Sequence, residues 1–183
     1  MDRYAKETGN FTYTVDWGGF NVPGHVVQNF FQTYEKFAQP LLQKEETLYN
    51  LLSDQIRGQD KFYVIGHFEE VALPDWSKDE DFYSTLAHEI AHGLFYLNGK
   101  YRKAALKLIS ELPKEVVEKM STKLLSGGGY CKAVLKDEFQ AYLSTSGKDY
   151  LKKMFGLPLM KISKPFKKLF REFVSIGWKN FQL

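Results

Sequence analysis

The chain has 183 residues, of which 44% are apolar, 26% charged and 16% aromatic, and its formal net charge is +3. That length suits one ordinary domain spanning 1–183, and the composition excludes a disordered, collagenous or low-complexity chain. A single cysteine, Cys131, excludes a disulfide framework and the Cys-rich zinc modules, so any metal held here must use carboxylates and the four histidines, His25, His67, His88 and His92.

In chain order, Phe11 to Trp17 is rich in β-branched and aromatic residues and predicts a strand closed by a turn at Gly18-Gly19. The stretch from Trp17 to Pro23 is aromatic and turn-rich, suited to core packing or to a groove wall, and Asn21-Val22-Pro23-Gly24 is a turn or helix entry. Val26, Phe30, Tyr34 and Phe37 predict a helix from about His25 to Phe37, interrupted by Pro40. A second helix carries Leu41, Leu48, Leu51, Leu52 and Ile56 and stops at Gly58. Lys61 to Phe68 reads as a half-buried strand, and Pro74 to Ser77 as a loop whose Ser77 or Asp79 caps a helix from about Glu80 to Leu97. Asn98-Gly99 is a stop signal, followed by a helix over Tyr101–Leu112 and another from Pro113 to about Leu125. Gly127-Gly128-Gly129 breaks the chain without the Gly-Lys-Ser/Thr ending of a phosphate loop. Cys131 to about Ser144 and Lys164 to about Phe181 complete the helices. The fold class predicted is α+β: a mainly helical domain with a small sheet contributed by the first half.

Nothing approaches the ~18 consecutive apolar residues of a membrane-spanning helix. The polar stretch from Met1 to Glu7 lacks an apolar signal core, so the expected compartment is the cytoplasm. From Gly147 onward there are nine Lys/Arg against two Asp/Glu, a net of +7, which leaves −4 for the rest. The basic helix at about 164–181 is a solvated face or a contact for an acidic partner or membrane surface; a total of +3 does not predict nucleic-acid binding for the molecule as a whole.

The stretch that carries chemistry is Leu86-Ala87-His88-Glu89-Ile90-Ala91-His92, a His-Glu-x-x-His pattern inside a predicted helix. Residues four apart lie on one helix face, so two imidazoles can converge on one ion at Zn–N distances near ~2 Å. Glu89 is rotated by about 100° from His88 and leans toward the open side of such an ion, where it can move protons for a water. A catalytic zinc usually takes a third protein ligand. A third His on the same helix would fall at position 98, which is Asn98, with Phe95 where a Gly is needed. Glu111, Glu115 and Glu118 share a face with Lys107 and Lys114 and suit a solvated surface. Glu138 stands instead in Ala133–Leu143, among apolar or small neighbours, where a carboxylate is costly unless paired or metal-bound. Asp137 is a surface charge or an outer partner for an imidazole.

With His88-Glu89-x-x-His92 and a Glu on a later helix, the stretch from Phe82 to Leu143 resembles the gluzincin group of zinc metallopeptidases, the thermolysin-like clan, and its small single-domain members in particular. The resemblance implies a zincin-like sheet beside the motif helix, zinc held by His88, His92 and Glu138, Glu89 as the catalytic base, and a peptide or protein substrate. It also implies Lys61–Phe68 as an edge strand that pairs with that substrate. Where that group often has an Asp one turn after its ligand Glu, this chain has Tyr142. Donors to the reaction's oxyanion are sought among Tyr130, Tyr142 and His67, and the sequence does not choose between them. A different class of function also fits the residues: a catalytically silent, peptidase-like module that holds a peptide or protein partner.

Overall fold

A computed structural model of the chain describes residues 19–38, 40–58, 61–67, 82–127 and 130–178, with the backbone alone at 67, 82–84, 127 and 175–178. The strand expected at Phe11–Trp17, the Pro74–Ser77 loop and the caps at Ser77 and Asp79 lie outside the described residues. The described part is mainly helical with a two-stranded antiparallel sheet, so the α+β class expected from sequence holds.

Strand β1 (Gly19–Pro23) pairs with β2 (Tyr63–His67) in the register Gly19 to His67, Asn21 to Ile65 and Pro23 to Tyr63. Gly19 and Asn21–Pro23 are thus strand rather than turn. Pro23 closes the strand at its last position, where its missing N–H costs least, and its φ of −59° leads straight into helix α1 (Gly24–Phe37). Gly24 N donates to the Phe62 carbonyl at 2.9 Å, tying the helix start to the second strand. The ring of Phe20 lies on Gly66, in the space a Cβ would need, so only glycine admits this ring. Helix α1 ends at Ala38 in the left-handed conformation, φ 49°. Helix α2 (Gln43–Arg57) follows, with Glu45 accepting from the Leu42 backbone N–H at 2.7 Å. It packs on α1 and buries no residue fully.

The motif helix α3 (Phe82–Leu97) is separated from α4 (Gly99–Ser110) by one residue. Asn98 therefore ends one helix and caps the next: its Oδ1 accepts from the Lys100 and Tyr101 backbone N–H groups at 3.1 Å each. Helix α5 (Lys114–Gly127) starts directly after Pro113, as expected, and runs two residues past Leu125. A 3₁₀ turn over Lys132–Val134 opens helix α6 (Leu135–Thr145). Helix α7 (Lys148–Phe155) is not foreshadowed by the periodicity. It has two turns, buries only Leu151 and Phe155, and stops at Gly156 in the left-handed region. Helix α8 (Met160–Trp178) begins four residues before Lys164 and carries Pro165 inside it. Burial of Ser163 and Phe166 on either side of Pro165 holds that turn helical despite the lost backbone bond.

Helix α3 sits between two layers. One side faces the sheet, where Gly93 admits the Tyr63 ring: a Cβ there would stand 3.3 Å from it. The other side faces α6, which packs in turn on α8, while α4 contacts α3, α6 and α8. The core lies on the far side of α6 from the sheet and joins Met120 and Leu124 of α5, Phe139 and Leu143 of α6, Leu151 and Phe155 of α7, Leu159, and Phe166 of α8. On α8 the exposed Lys161, Lys164, Lys168 and Arg171 fall within an arc of about 80° at 100° per residue, roughly opposite the buried Phe166. Among the described residues no helix is long and apolar enough to cross a membrane.

Ala91 is fully buried where α3 meets α6, and its carbonyl accepts from Gln140 Nε2 at 3.1 Å. Ala91→Leu should wedge the two helices apart and lower the unfolding free energy by about 1–3 kcal/mol, read as a lower denaturant midpoint with far-UV dichroism still helical.

Candidate metal centre

Helical geometry gives α3 two neighbouring rows. Thr85, Glu89 and Gly93 face the sheet, while His88 and His92 face α6. Opposite them α6 presents Glu138, only 6% exposed although charged. His88 Nε2 and His92 Nε2 are 3.2 Å apart; His88 Nε2 lies 3.7 Å from Glu138 Oε2, and His92 Nε2 lies 3.6 Å from Glu138 Oε1. Metal–ligand bonds of 2.0–2.2 Å at a tetrahedral angle separate neighbouring donor atoms by about 3.3–3.6 Å. The two imidazole nitrogens have about that spacing, each also lies near a different oxygen of Glu138, and with one ligand atom from each residue, all within 4.8 Å of one another, the three side chains could hold a metal ion. Glu138 Oε2 is also buried with no hydrogen-bond partner among the described residues, an expensive state for a carboxylate oxygen unless a cation meets it.

The imidazole of His92 is oriented from behind. Its Nδ1 donates to Asp137 Oδ1 at 2.9 Å, so in the neutral ring the Nε2 lone pair is turned toward His88 and Glu138. Of the two roles open to Asp137 in the sequence, the structure shows the outer partner of an imidazole. Burial disfavours charge on His92, but the Asp137 hydrogen bond and the carboxylates of Asp137, Glu138 and Glu89 outweigh it, and its pKa is raised. The pocket therefore attracts positive charge, as a proton or as a metal ion.

Glu89 is 7% exposed and stands outside the ligand trio. Its Oε2 accepts from Asn21 Nδ2 of β1, and Tyr63 OH of β2 donates to Asn21 Oδ1 at 2.5 Å. Of the two strands, β1 is the one whose side chain bonds the motif Glu; β2, within the expected edge strand Lys61–Phe68, reaches it through Tyr63. Burial, then the charges of Asp137, Glu89 and Glu138, raise the Tyr63 pKa, so its phenol keeps its proton.

Tyr142, one turn after Glu138, sets its ring edge-on to the His88 ring with centroids 4.6 Å apart, and its hydroxyl lies 3.4 Å from that of Tyr130. Burial, reinforced by the Glu138 charge, pushes Tyr130 up to about 12; burial, then Tyr130, raises Tyr142 as well. Both phenols are therefore protonated donors. His67 ends β2 opposite Gly19, and its side chain lies outside the described residues. His25 is spent elsewhere, with Nδ1 2.8 Å from Tyr96 OH. Glu115 and Glu118 pair with Lys119 and Lys114 on the surface, as the charge pattern of α5 suggests.

No protein-family model, curated protein or solved structure matches this chain.

Its site is thus defined by its own residues, and several of them carry no sequence signal. Asn21 sits in what reads as a turn, Tyr63 is one of eleven tyrosines, and Gln140 and Tyr101 become members only because α3, α4 and α6 meet. Asp137→Asn should retain the fold and weaken zinc binding by about 10–100-fold in chelator competition. Zinc uptake by the unsubstituted protein should release protons and weaken as pH falls through the raised His92 value, because a protonated imidazole offers no lone pair.

Proposed function

We propose that this chain is a zinc-dependent peptidase in which His88, His92 and Glu138 hold the ion and Glu89 is the general base. The observation that carries the reading is the convergence of those three donors within 4.8 Å of one another, with a second buried carboxylate, Glu89, outside the trio on the next row of the same helix. A structural metal site has no use for that second carboxylate; a hydrolytic one does. When bound, zinc would supply Lewis acidity to a substrate carbonyl and lower the pKa of an attacking water.

The remaining work falls to the protein. Oε2 of Glu89 accepts from Asn21, and Oε1, with no hydrogen bond among the described residues, would accept the water's proton as the water oxygen bonds to the peptide carbon. The same proton then passes from Glu89 to the departing amine nitrogen as the C–N bond breaks, which returns the carboxylate to its starting state. The protonated phenols of Tyr142, whose ring lies against His88, and of Tyr130, whose hydroxyl is 3.4 Å from that of Tyr142, are donors suited to the negative oxygen that develops on the carbonyl. A peptide substrate is favoured by the gluzincin resemblance of the motif and by a small sheet beside α3, an edge of which, unpaired among the described residues, could pair with an extended chain. The cytoplasm is the compartment proposed, since one lone thiol, Cys131, makes no use of an oxidising environment.

Zinc content and hydrolysis of a mixed peptide library, measured side by side, test this. The unsubstituted chain and Glu89→Gln should each hold one zinc, while turnover by Glu89→Gln falls by at least about 10²–10⁴-fold. His92→Ala should lose both zinc and turnover. Equal turnover with and without Glu89 would remove the catalytic role and leave a metal-binding partner module; absence of zinc from the unsubstituted chain would remove the metal.

A further inference from the structure

Behind Asp137 the hydrogen bonds continue into the protein, and their direction is determined as far as Tyr101. Gln140 is fully buried, and its Nε2 lies 2.9 Å from Asp137 Oδ1 and 3.1 Å from the Ala91 carbonyl. Both are acceptors, so the amide end faces them; turning the side chain over would set three acceptors together. The Gln140 Oε1 then accepts from Tyr101 OH at 2.7 Å, and Tyr101, also fully buried, has Ser144 Oγ at 3.5 Å. Tyr101 is itself held: its backbone N–H is capped by Asn98, and its ring meets Phe173 of α8 edge-on, with centroids 5.4 Å apart. Burial pushes the Tyr101 phenol up to about 12, which keeps it a donor.

We infer that Gln140, aimed by Tyr101, is a positioning residue for the metal centre: it holds Asp137 as a pure acceptor and thereby sets which nitrogen of His92 carries the proton. Asp137 Oδ1 receives one N–H from Gln140 and can take a second only from His92 Nδ1. His92 is then the Nδ1–H tautomer, with its Nε2 lone pair facing His88 and Glu138. Because Gln140 also bonds the Ala91 carbonyl, one residue before His92, the same amide locks the helix that carries the ligand to the helix that carries its partner. This rests on the metal reading above only for its affinity arm; the tautomer is a property of the protein with or without metal.

The test uses the full chain with Gln140→Met, Tyr101→Phe and, as a control, Met120→Ala, a fully buried core position away from these hydrogen bonds. Two quantities are read: zinc affinity by chelator competition, and the His92 tautomer from ring ¹⁵N shifts in metal-free protein under alkaline conditions. The unsubstituted protein should show the Nδ1–H form. Gln140→Met should weaken zinc by about 10–100-fold and mix the tautomers, with Tyr101→Phe acting the same way by a smaller factor. Met120→Ala should lower the unfolding midpoint and leave both quantities alone. Unchanged affinity and tautomer in Gln140→Met would overturn the inference, as would an equal loss of affinity in Met120→Ala. If Gln140→Met does not fold, Tyr101→Phe, which deletes one oxygen, decides in its place. If the unsubstituted protein takes no zinc, the metal reading fails and the tautomer alone decides this one.

Discussion

A carboxylate shut between two helices is the constraint around which this molecule is arranged. Glu138 comes from a helix that also carries the core residues Phe139 and Leu143, and it faces His88 and His92 with one oxygen that has no hydrogen bond among the described residues. An isolated buried charge of that kind costs several kcal/mol, so the surroundings must either neutralise it or bring a cation to it. The two imidazoles, the raised His92 pKa and the donor spacing are all consistent answers to that one cost.

Helix α6 can bear this because its two sides do different work. Glu138, Gln140 and Ser144 are buried polar residues, and Asp137 faces His92 beside them; Phe139 and Leu143 join the core made with α5, α7 and α8. The short α7 and the early start of α8 complete the apolar side and hold α6 against α3. Small residues make the contact close. Ala91 brings a backbone carbonyl within reach of Gln140, and Gly93 lets the Tyr63 ring settle on the opposite side of α3. The three donor side chains are therefore set by rigid elements rather than by loops, which is the arrangement that keeps a site's geometry narrow.

The sheet serves a separate purpose. Its contact with the centre runs through Tyr63 and Asn21 to Glu89 and does not involve the ligand trio. His92 is thus braced by hydrogen bonds between α3 and α6, and the neighbouring Glu89 carboxylate by strand side chains. Glu89 and Glu138, both buried, receive different environments, one among strand side chains and the other between two imidazoles, and such a difference is what allows two carboxylates different roles.

The local pattern of the chain was enough to determine that His88 and His92 share one helix face with Glu89 turned to the side, because i and i+4 adjacency is a property of any α-helix. It was also enough to single out Glu138, since a charge among apolar helix positions is conspicuous in one dimension, and to delimit most helices by their Gly, Pro and Asn punctuation. It did not show α7, whose two turns are too short for a periodicity, or the early start of α8, where burial overrides a proline. Only the tertiary structure decided that Asp137 rather than a residue one turn later orients His92, that Tyr142 lies against His88, and that Asn21, Tyr63, Gln140 and Tyr101 belong to the centre at all. Those roles depend on hydrogen bonds between segments far apart in the chain. A hydrogen bond needs its partners within about 3 Å and aimed at each other, a condition that packing creates and that no spacing of letters encodes.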